Sequence, residues 1–317
     1  MLNVMYDLAI IGGGPAGVAA GVYAARKHLE TIFIAGAIGG QSTESSDIQN
    51  WIGTPHIAGP ELAKAFEAHL REYAGDSVNL KIGERAERVE RAAEGSPTGG
   101  FQIQTEKSSY SAKTVLVATG GSRKKLQAKG AAEFENKGVT YCASCDGPLF
   151  TDQDVVVVGG GNAGFETAAQ LLAYAKSVTL VHRGSDFLKA DASTVKTILD
   201  NSKMRTIKES EPVEVKGDNF VKSIIIKNRA TGALTEVPAA GIFVEIGMIP
   251  STDLVKGLVE FDEWGRIKVD GKSQRTSTPG IWAAGDCSDG LYHQNNIAAG
   301  DAVKAVEDIY YYLSGAA

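Results

Sequence analysis

Two cysteines stand three positions apart in Tyr141-Cys142-Ala143-Ser144-Cys145-Asp146-Gly147. Thiols separated by two residues close a small disulfide ring with little backbone movement. The spacing also depresses one thiol pKa, so such a pair can cycle between dithiol and disulfide and attack a partner's disulfide as a thiolate. Asp146, directly after the pair, is a candidate proton relay. The alternative reading, half of a zinc site, needs two more soft ligands. The only further cysteine is Cys287, and the five histidines show no paired metal spacing, so no metal is expected.

A redox pair needs a source of electrons, and the flanking sequence supplies cofactor turns. Residues 7–11 read as a short buried strand, followed by Gly12-Gly13-Gly14-Pro15-Ala16-Gly17 and an alanine-rich helix to about Lys27. Gly12, Gly14 and Gly17 satisfy the G-x-G-x-x-G spacing: the first makes the turn, the second admits a pyrophosphate, and the third lets the helix pack on the strand, with the phosphates on the helix N-terminus. A second strand covers residues 31–35. The acidic residue that usually holds a ribose at its end is replaced by Ala35-Gly36, so ribose recognition must come from elsewhere. Ten residues after Cys145, Val155-Val156-Val157-Val158 leads into Gly159-Gly160-Gly161-Asn162-Ala163-Gly164 and another helix, to about Tyr174. Two fingerprints mean two dinucleotide-sized sites, with the cysteine pair just ahead of the second.

The remaining elements follow from periodicity and turn residues. Helices are expected over 60–73, 191–201 and 298–313. A small antiparallel layer is expected over 78–117, around the turn Glu94 to Gly100, ending in Val117-Ala118-Thr119-Gly120. A strand is expected at 177–181, hairpins near Gly217-Asp218 and Thr231-Gly232, and a strand in Ile281-Trp282-Ala283-Ala284-Gly285-Asp286, whose Gly-Asp end would place a carboxylate and backbone amides beside a cofactor. Tyr310-Tyr311-Tyr312 cannot all face one way, and a subunit boundary is the favoured place for them.

The chain has 317 residues, room for two cores, and a net charge of −6. The acidic balance points away from nucleic acid and from an anionic membrane surface. No apolar run approaches the roughly 20 residues that span a bilayer. Three cysteines form no disulfide framework, and no signal segment precedes the first strand, so the cytoplasm is expected. Residues 122–129 carry four positive charges, read either as a solvated loop or as a docking patch for an acidic partner.

In this order the pieces resemble the low-molecular-weight thioredoxin reductases: the first fingerprint, Gly39-Gly40-Gln41, Ala118-Thr119-Gly120, Cys142-Ala-Ser-Cys145-Asp146, the second fingerprint, and Ala283-Ala284-Gly285-Asp286. The resemblance covers nearly the whole chain. It implies an α/β fold of two Rossmann-like, three-layer ββα or doubly wound domains. An FAD domain of residues 1–117 and 245–317 would be interrupted by an NAD(P)H-domain-like unit, 118–244, that carries the cysteines. It implies flavin contacts from Gly12, Gly14, Pro15, Ala16, Gly17, Gly40, Gln41, Asn50, Thr119, Gly120, Gly285, Asp286, His293 and Gln294. Cys142 and Cys145 become the redox pair, with Cys145 toward the flavin and Cys142 toward the partner, and Asp146 the acid. A homodimer and a thioredoxin-like disulfide partner are implied as well.

The sequence departs from that family at the second site. The family's His-Arg-Arg-x-x-x-Arg, whose two later arginines grip the 2′-phosphate of NADPH, here reads His182-Arg183-Gly184-Ser185-Asp186-Phe187-Leu188. Each lost guanidinium removes a charge-assisted bond of roughly 1.5–3 kcal/mol, so affinity should fall on the order of 10²-fold or more. Lys189 stands one position out of register and lacks the planar fork. NADPH is therefore not expected as donor. The expectation favours the pyridine-nucleotide-independent branch, fed by ferredoxin or carrying a second flavin, over an NAD(P)H-dependent reductase, and the basic stretch suits an acidic carrier. His293 replaces a basic residue beside the flavin and would add a titrating group. The rival of another class is a flavin-bound redox sensor that does not turn over.

Overall fold

The computed structural model describes residues 4–45, 47–92, 99–188 and 190–315. Lys189 and the expected turn residues 94–98 lie outside the described residues. The chain divides into two compact units: Met1–Ser122 with Ile249–Ala317, and Arg123–Met248. The divisions fall a few residues beyond 117/118 and 244/245. The strands Gly121–Arg123 and Met248–Pro250 pair with each other.

In the first unit the strand Met5–Ile11 lies between Thr31–Ala35 and Ser109–Val117, parallel to both. Val78–Ile82 extends the sheet in parallel beyond Thr31–Ala35, and Ile281–Ala283 pairs in parallel with Ser109–Val117. The antiparallel layer expected over residues 78–117 is narrower than that span. Among its described residues, only Ala86–Arg91, Phe101–Thr105 and the start of Ser109–Val117 pair antiparallel. Alternation marks a strand but not the direction of its neighbour, and the nine-residue strand is long enough to join the parallel sheet at its far end. The helices Pro15–Arg26, Gly59–Ala74 and Asn295–Leu313 cover one face through Val18, Val22, Leu62, Phe66, Leu70, Val306 and Ile309; Val89, Phe101, Ile103, Val255 and Ile267 fill the other.

The last helix begins at Asn295, three residues before the expected start. Tyr312 meets Trp282 edge-on with ring centroids 5.2 Å apart, and Tyr310 lies under Lys27 Nζ at 4.5 Å.

The second unit is a parallel five-stranded sheet in the order Met204–Ile207, Ser177–Val181, Asp154–Val158, Gly241–Val244, Val139–Thr140. Both of its faces are apolar, as buried parallel strands require. A three-stranded antiparallel sheet, Ser210–Gly217, Val221–Asn228 and Leu234–Pro238, completes the unit. The strand order reverses between Asp154–Val158 and Gly241–Val244, which makes their carboxyl ends the switch point where such sheets take ligands.

Candidate functional site

The first glycine turn is fixed by close approach. Gly12 has φ +126°, and a Cβ there would stand 2.1 Å from the Ala118 carbonyl oxygen; a Cβ on Gly17 would stand 1.9 Å from the Gly12 carbonyl oxygen. These contacts lock strand, turn and helix together. Gly14, by contrast, faces open space bounded by the Gly40 Cα at 4.0 Å. The helix Pro15–Arg26 begins there with no side-chain cap and no acidic residue in its first turn, so its amides face outward as an anion site. The side chain of Arg85 lies over Gly36, its Nε 2.9 Å from where a Cβ would be. A guanidinium therefore stands where such turns usually carry the ribose-binding acid.

Side chains distant in sequence meet beside this turn. Gln41 Nε2 donates to the Gly121 carbonyl at 2.8 Å and to Asp286 Oδ2 at 3.4 Å. Thr119 Oγ1 donates to the Ser251 carbonyl at 2.6 Å. Asn50 Nδ2 donates to Gln294 Oε1 at 2.9 Å, and Asn296 Nδ2 donates to the Asn50 carbonyl at 2.7 Å. Gly285, at φ +74°, lies against the first and last helices: a Cβ there would stand 3.4 Å from the Ala16 Cβ and 3.1 Å from the Ala298 Cβ. His293 Nδ1 lies 3.4 Å from Asp286 Oδ1, yet it is buried with no hydrogen-bond partner. The distance admits an attraction while the geometry admits no bond, so this nitrogen is left for another group. An open glycine cradle, an uncapped helix start and an orphaned ring nitrogen fit the pyrophosphate and ring system of FAD. Bound there, FAD would carry electrons two at a time. Beneath these residues Cys287 is fully buried, and burial pushes its thiol up to about 11.

The second turn repeats the design. Gly159 has φ +128° and packs on the Glu245 carbonyl, a Cβ on Gly164 would stand 1.9 Å from the Gly159 carbonyl, and Gly161 opens on empty space. The helix Asn162–Leu172 starts uncapped. At the end of Ser177–Val181 the His182 ring covers Gly160 and Gly184 and sits 5.2 Å from the Phe187 ring. Asp186 turns back to accept from the Leu188 amide at 3.3 Å, and Leu188 is 87% exposed. Arg183 is the one family arginine retained in this run, and it is exposed.

The basic stretch is largely neutralised within its own unit. Arg123 pairs with Glu245 at 3.1 Å, Lys129 with Glu214 at 2.7 Å, and Lys125 with Glu135.

Cys142 and Cys145 form a disulfide. Cys142 caps the short helix Ala143–Asp146, and the Cys145 amide donates to Cys142 Sγ at 3.2 Å. The edge strand Val139–Thr140 places Thr140 so that its hydroxyl donates to Asp146 Oδ2 and accepts from the Cys142 amide at 3.3 Å. Ser144 Oγ ties the turn to Gln170 on the neighbouring helix at 2.9 Å. Among the described residues no group of His, Cys, Asp and Glu is arranged to hold a metal ion. No helix is long and apolar enough to cross a membrane.

The chain thus carries two strand–glycine–helix turns and, in the second unit, the Cys142–Cys145 disulfide. The profile of the pyridine nucleotide-disulphide oxidoreductase family matches residues 6–302, and the chain belongs to that family. It is similar to the thioredoxin reductase structure from Streptococcus pyogenes, at 39% identity with 99% of each chain covered and a TM-score of 0.88. The thioredoxin reductase from Giardia duodenalis is 35% identical, with a TM-score of 0.89 over 98% of this chain and 99% of that one. Among curated proteins, a Bacillus subtilis NADH dehydrogenase is 38% identical over 309 residues, 97% of this chain and 58% of that protein. A component of the Escherichia coli alkyl hydroperoxide reductase is 36% identical over 97% and 58%. The chain thus spans somewhat over half the length of the curated relatives it matches.

Three residues at these sites escape sequence reading. Thr140 carries one faint signal, a hydroxyl in a short buried strand. Arg85 and Glu245 carry none, because their roles depend on contacts across 49 and 122 positions of chain to Gly36 and Arg123. The Glu245 side chain is 6% exposed, and desolvation raises its pKa against the opposing pull of Arg123 and of Thr167 Oγ1, which donates to it at 2.9 Å.

Proposed function

We propose that FAD, held in the first unit by the Gly12–Gly17 turn with Gln41, Asn50, Thr119, Asp286, His293 and Gln294, reduces the Cys142–Cys145 disulfide, and that the dithiol reduces an exposed disulfide of a thioredoxin-like protein. One observation carries this reading: the two cysteines are disulfide-bonded at the head of a helical turn, with a hydrogen-bonded carboxylate in the same turn. Cys142 attacks the partner, Cys145 resolves the mixed disulfide, and Asp146 carries the proton. The working form is a homodimer, by analogy with the resembling family, and its place is the cytoplasm, the compartment that sparse cysteines suit.

The reductant is NADH, taken up on the Gly159–Gly164 turn. The missing arginines at 184 and 188 disfavour the 2′-phosphate of NADPH, which NADH lacks. The similarity to a protein called an NADH dehydrogenase supports the same choice. The pyridine-nucleotide-independent reading, favoured from the sequence because the arginine pair is missing and the basic stretch suits an acidic carrier, loses its second support: Arg123, Lys125 and Lys129 pair with carboxylates of their own unit and leave that stretch little charge to offer. Anaerobic addition of NADH, NADPH and reduced ferredoxin in turn, following the flavin band near ~450 nm, tests the donor. Bleaching by ferredoxin alone overturns the choice of NADH.

A further inference from the structure

We infer that Thr140 is the positioning residue that fixes the orientation and proton affinity of Asp146 for proton transfer at the Cys142–Cys145 disulfide. The inference rests on the functional reading above, in which that disulfide is the redox pair.

Thr140 is 6% exposed. It belongs to an edge strand of two residues, Val139–Thr140, aligned with Ile242 and Phe243 of the neighbouring parallel strand. A buried hydroxyl needs partners, and both of its partners belong to the redox turn. It donates to Asp146 Oδ2 and accepts from the amide of Cys142 at 3.3 Å. One side chain thus joins the sheet, the first cysteine and the carboxylate. A hydroxyl that donates to a carboxylate favours the ionised form. Valine, nearly the same shape, keeps the packing and removes the donor.

The chemistry gives that donor a purpose. Breaking the Cys142–Cys145 bond takes two electrons, supplied by reduced FAD, and leaves two thiolates. The carboxylic acid of Asp146 gives its proton to one of them. As carboxylate it takes the proton back when that sulfur attacks the partner disulfide, whose released sulfur leaves as thiolate. The second cysteine then closes the disulfide and releases the partner's other sulfur. A proton carrier of this kind must be held in place and kept near the affinity of its task. Thr140 holds it from the sheet side. Of the elements packed on the turn, residues 147–150 carry no charged side chain, and the only charged side chain of Asn162–Leu172 is the exposed Glu166. The strand Gly241–Val244, beside Thr140, carries none.

The test is the titration of Asp146 itself, by carboxyl carbon NMR on the oxidised protein labelled at aspartate, in wild type and in Thr140→Val, Thr140→Ala and Thr140→Ser. Loss of the hydroxyl in the first two variants should raise the Asp146 midpoint by about one pH unit, a tenfold change in proton affinity. Thr140→Ser, which keeps the donor, should stay within a few tenths of a unit of wild type. If Thr140→Val does not fold, Thr140→Ala and Thr140→Ser decide the matter between them. An unmoved midpoint in the variants that lack the hydroxyl, or an equal rise in Thr140→Ser, overturns the inference. The oxidised protein needs no donor or partner for this measurement. Retained turnover in Cys142→Ser or Cys145→Ser would instead defeat the functional reading and leave the titration result standing.

Discussion

The amide of Cys145 points at the sulfur of Cys142, 3.2 Å away, and this distinguishes two thiols that the sequence presents as equals. An amide donor favours a thiolate over a thiol, and Cys142 is the sulfur that receives it. After reduction, Cys142 should therefore be alkylated faster than Cys145 below pH 7, by about tenfold if the amide is worth one pKa unit. Peptide mapping after a short iodoacetamide pulse reads the ratio. Cys287, pushed up to about 11 by burial, is the internal control: it should stay unlabelled at pH 8 until the protein is unfolded.

The two glycine turns predict separable losses. A methyl at Gly17 would run into the Gly12 carbonyl, and one at Gly164 into the Gly159 carbonyl, each at 1.9 Å. Backbone cannot yield as a side chain tip can, so each substitution should cost about 1–3 kcal/mol and open its own turn. Gly17→Ala should purify with little flavin. Gly164→Ala should keep its flavin and lose reduction by NADH. Flavin content from the absorbance spectrum, set beside the bleaching rate, checks both.

The donor preference rests on two positions that differ in what they can accept. Leu188 is exposed, so Leu188→Arg meets no obstacle and should improve NADPH binding by about tenfold relative to NADH, the worth of one charge-assisted phosphate contact. Gly184→Arg must first displace the His182 ring, whose Nε2 would lie 2.7 Å from the new Cβ. It should gain less than Leu188→Arg. The ratio of KM values for NADPH and NADH in each variant decides this.

Glu245 gives stability a pH dependence of known sign. Burial raises its folded pKa above the unfolded value of about 4.3, so folding favours the protonated acid. Its stabilising contribution is complete below the unfolded pKa and is lost as pH rises through the folded one. Glu245→Gln removes this slope. Thermal midpoints of wild type and variant should move apart progressively from pH 4 upward, with the variant gaining relative to wild type. Parallel curves would show that Arg123 and Thr167 fully offset the desolvation.

How much of this could be read from the chain alone follows from the range of each interaction. The glycine turns were legible because their geometry is local: strand, three glycines and helix occupy some twenty consecutive residues. The cysteine pair was legible for the same reason. The direction in which Val78–Ile82 pairs was not, because alternation reports burial and is silent about the neighbour. The basic stretch read as an excess of charge only because its partners Glu135, Glu214 and Glu245 stand elsewhere in sequence. The guanidinium over Gly36 and the hydroxyl on Asp146 likewise come from side chains that carry no motif.

Counting electrons decides whether the Cys142–Cys145 disulfide receives those of the flavin. An anaerobic titration of the flavin-loaded protein with a calibrated reductant should consume about four electron equivalents per chain in wild type, two for FAD and two for the disulfide, and about two in Cys145→Ser. Equal uptake by both proteins would contradict the account, because the disulfide would then lie outside the path of the electrons.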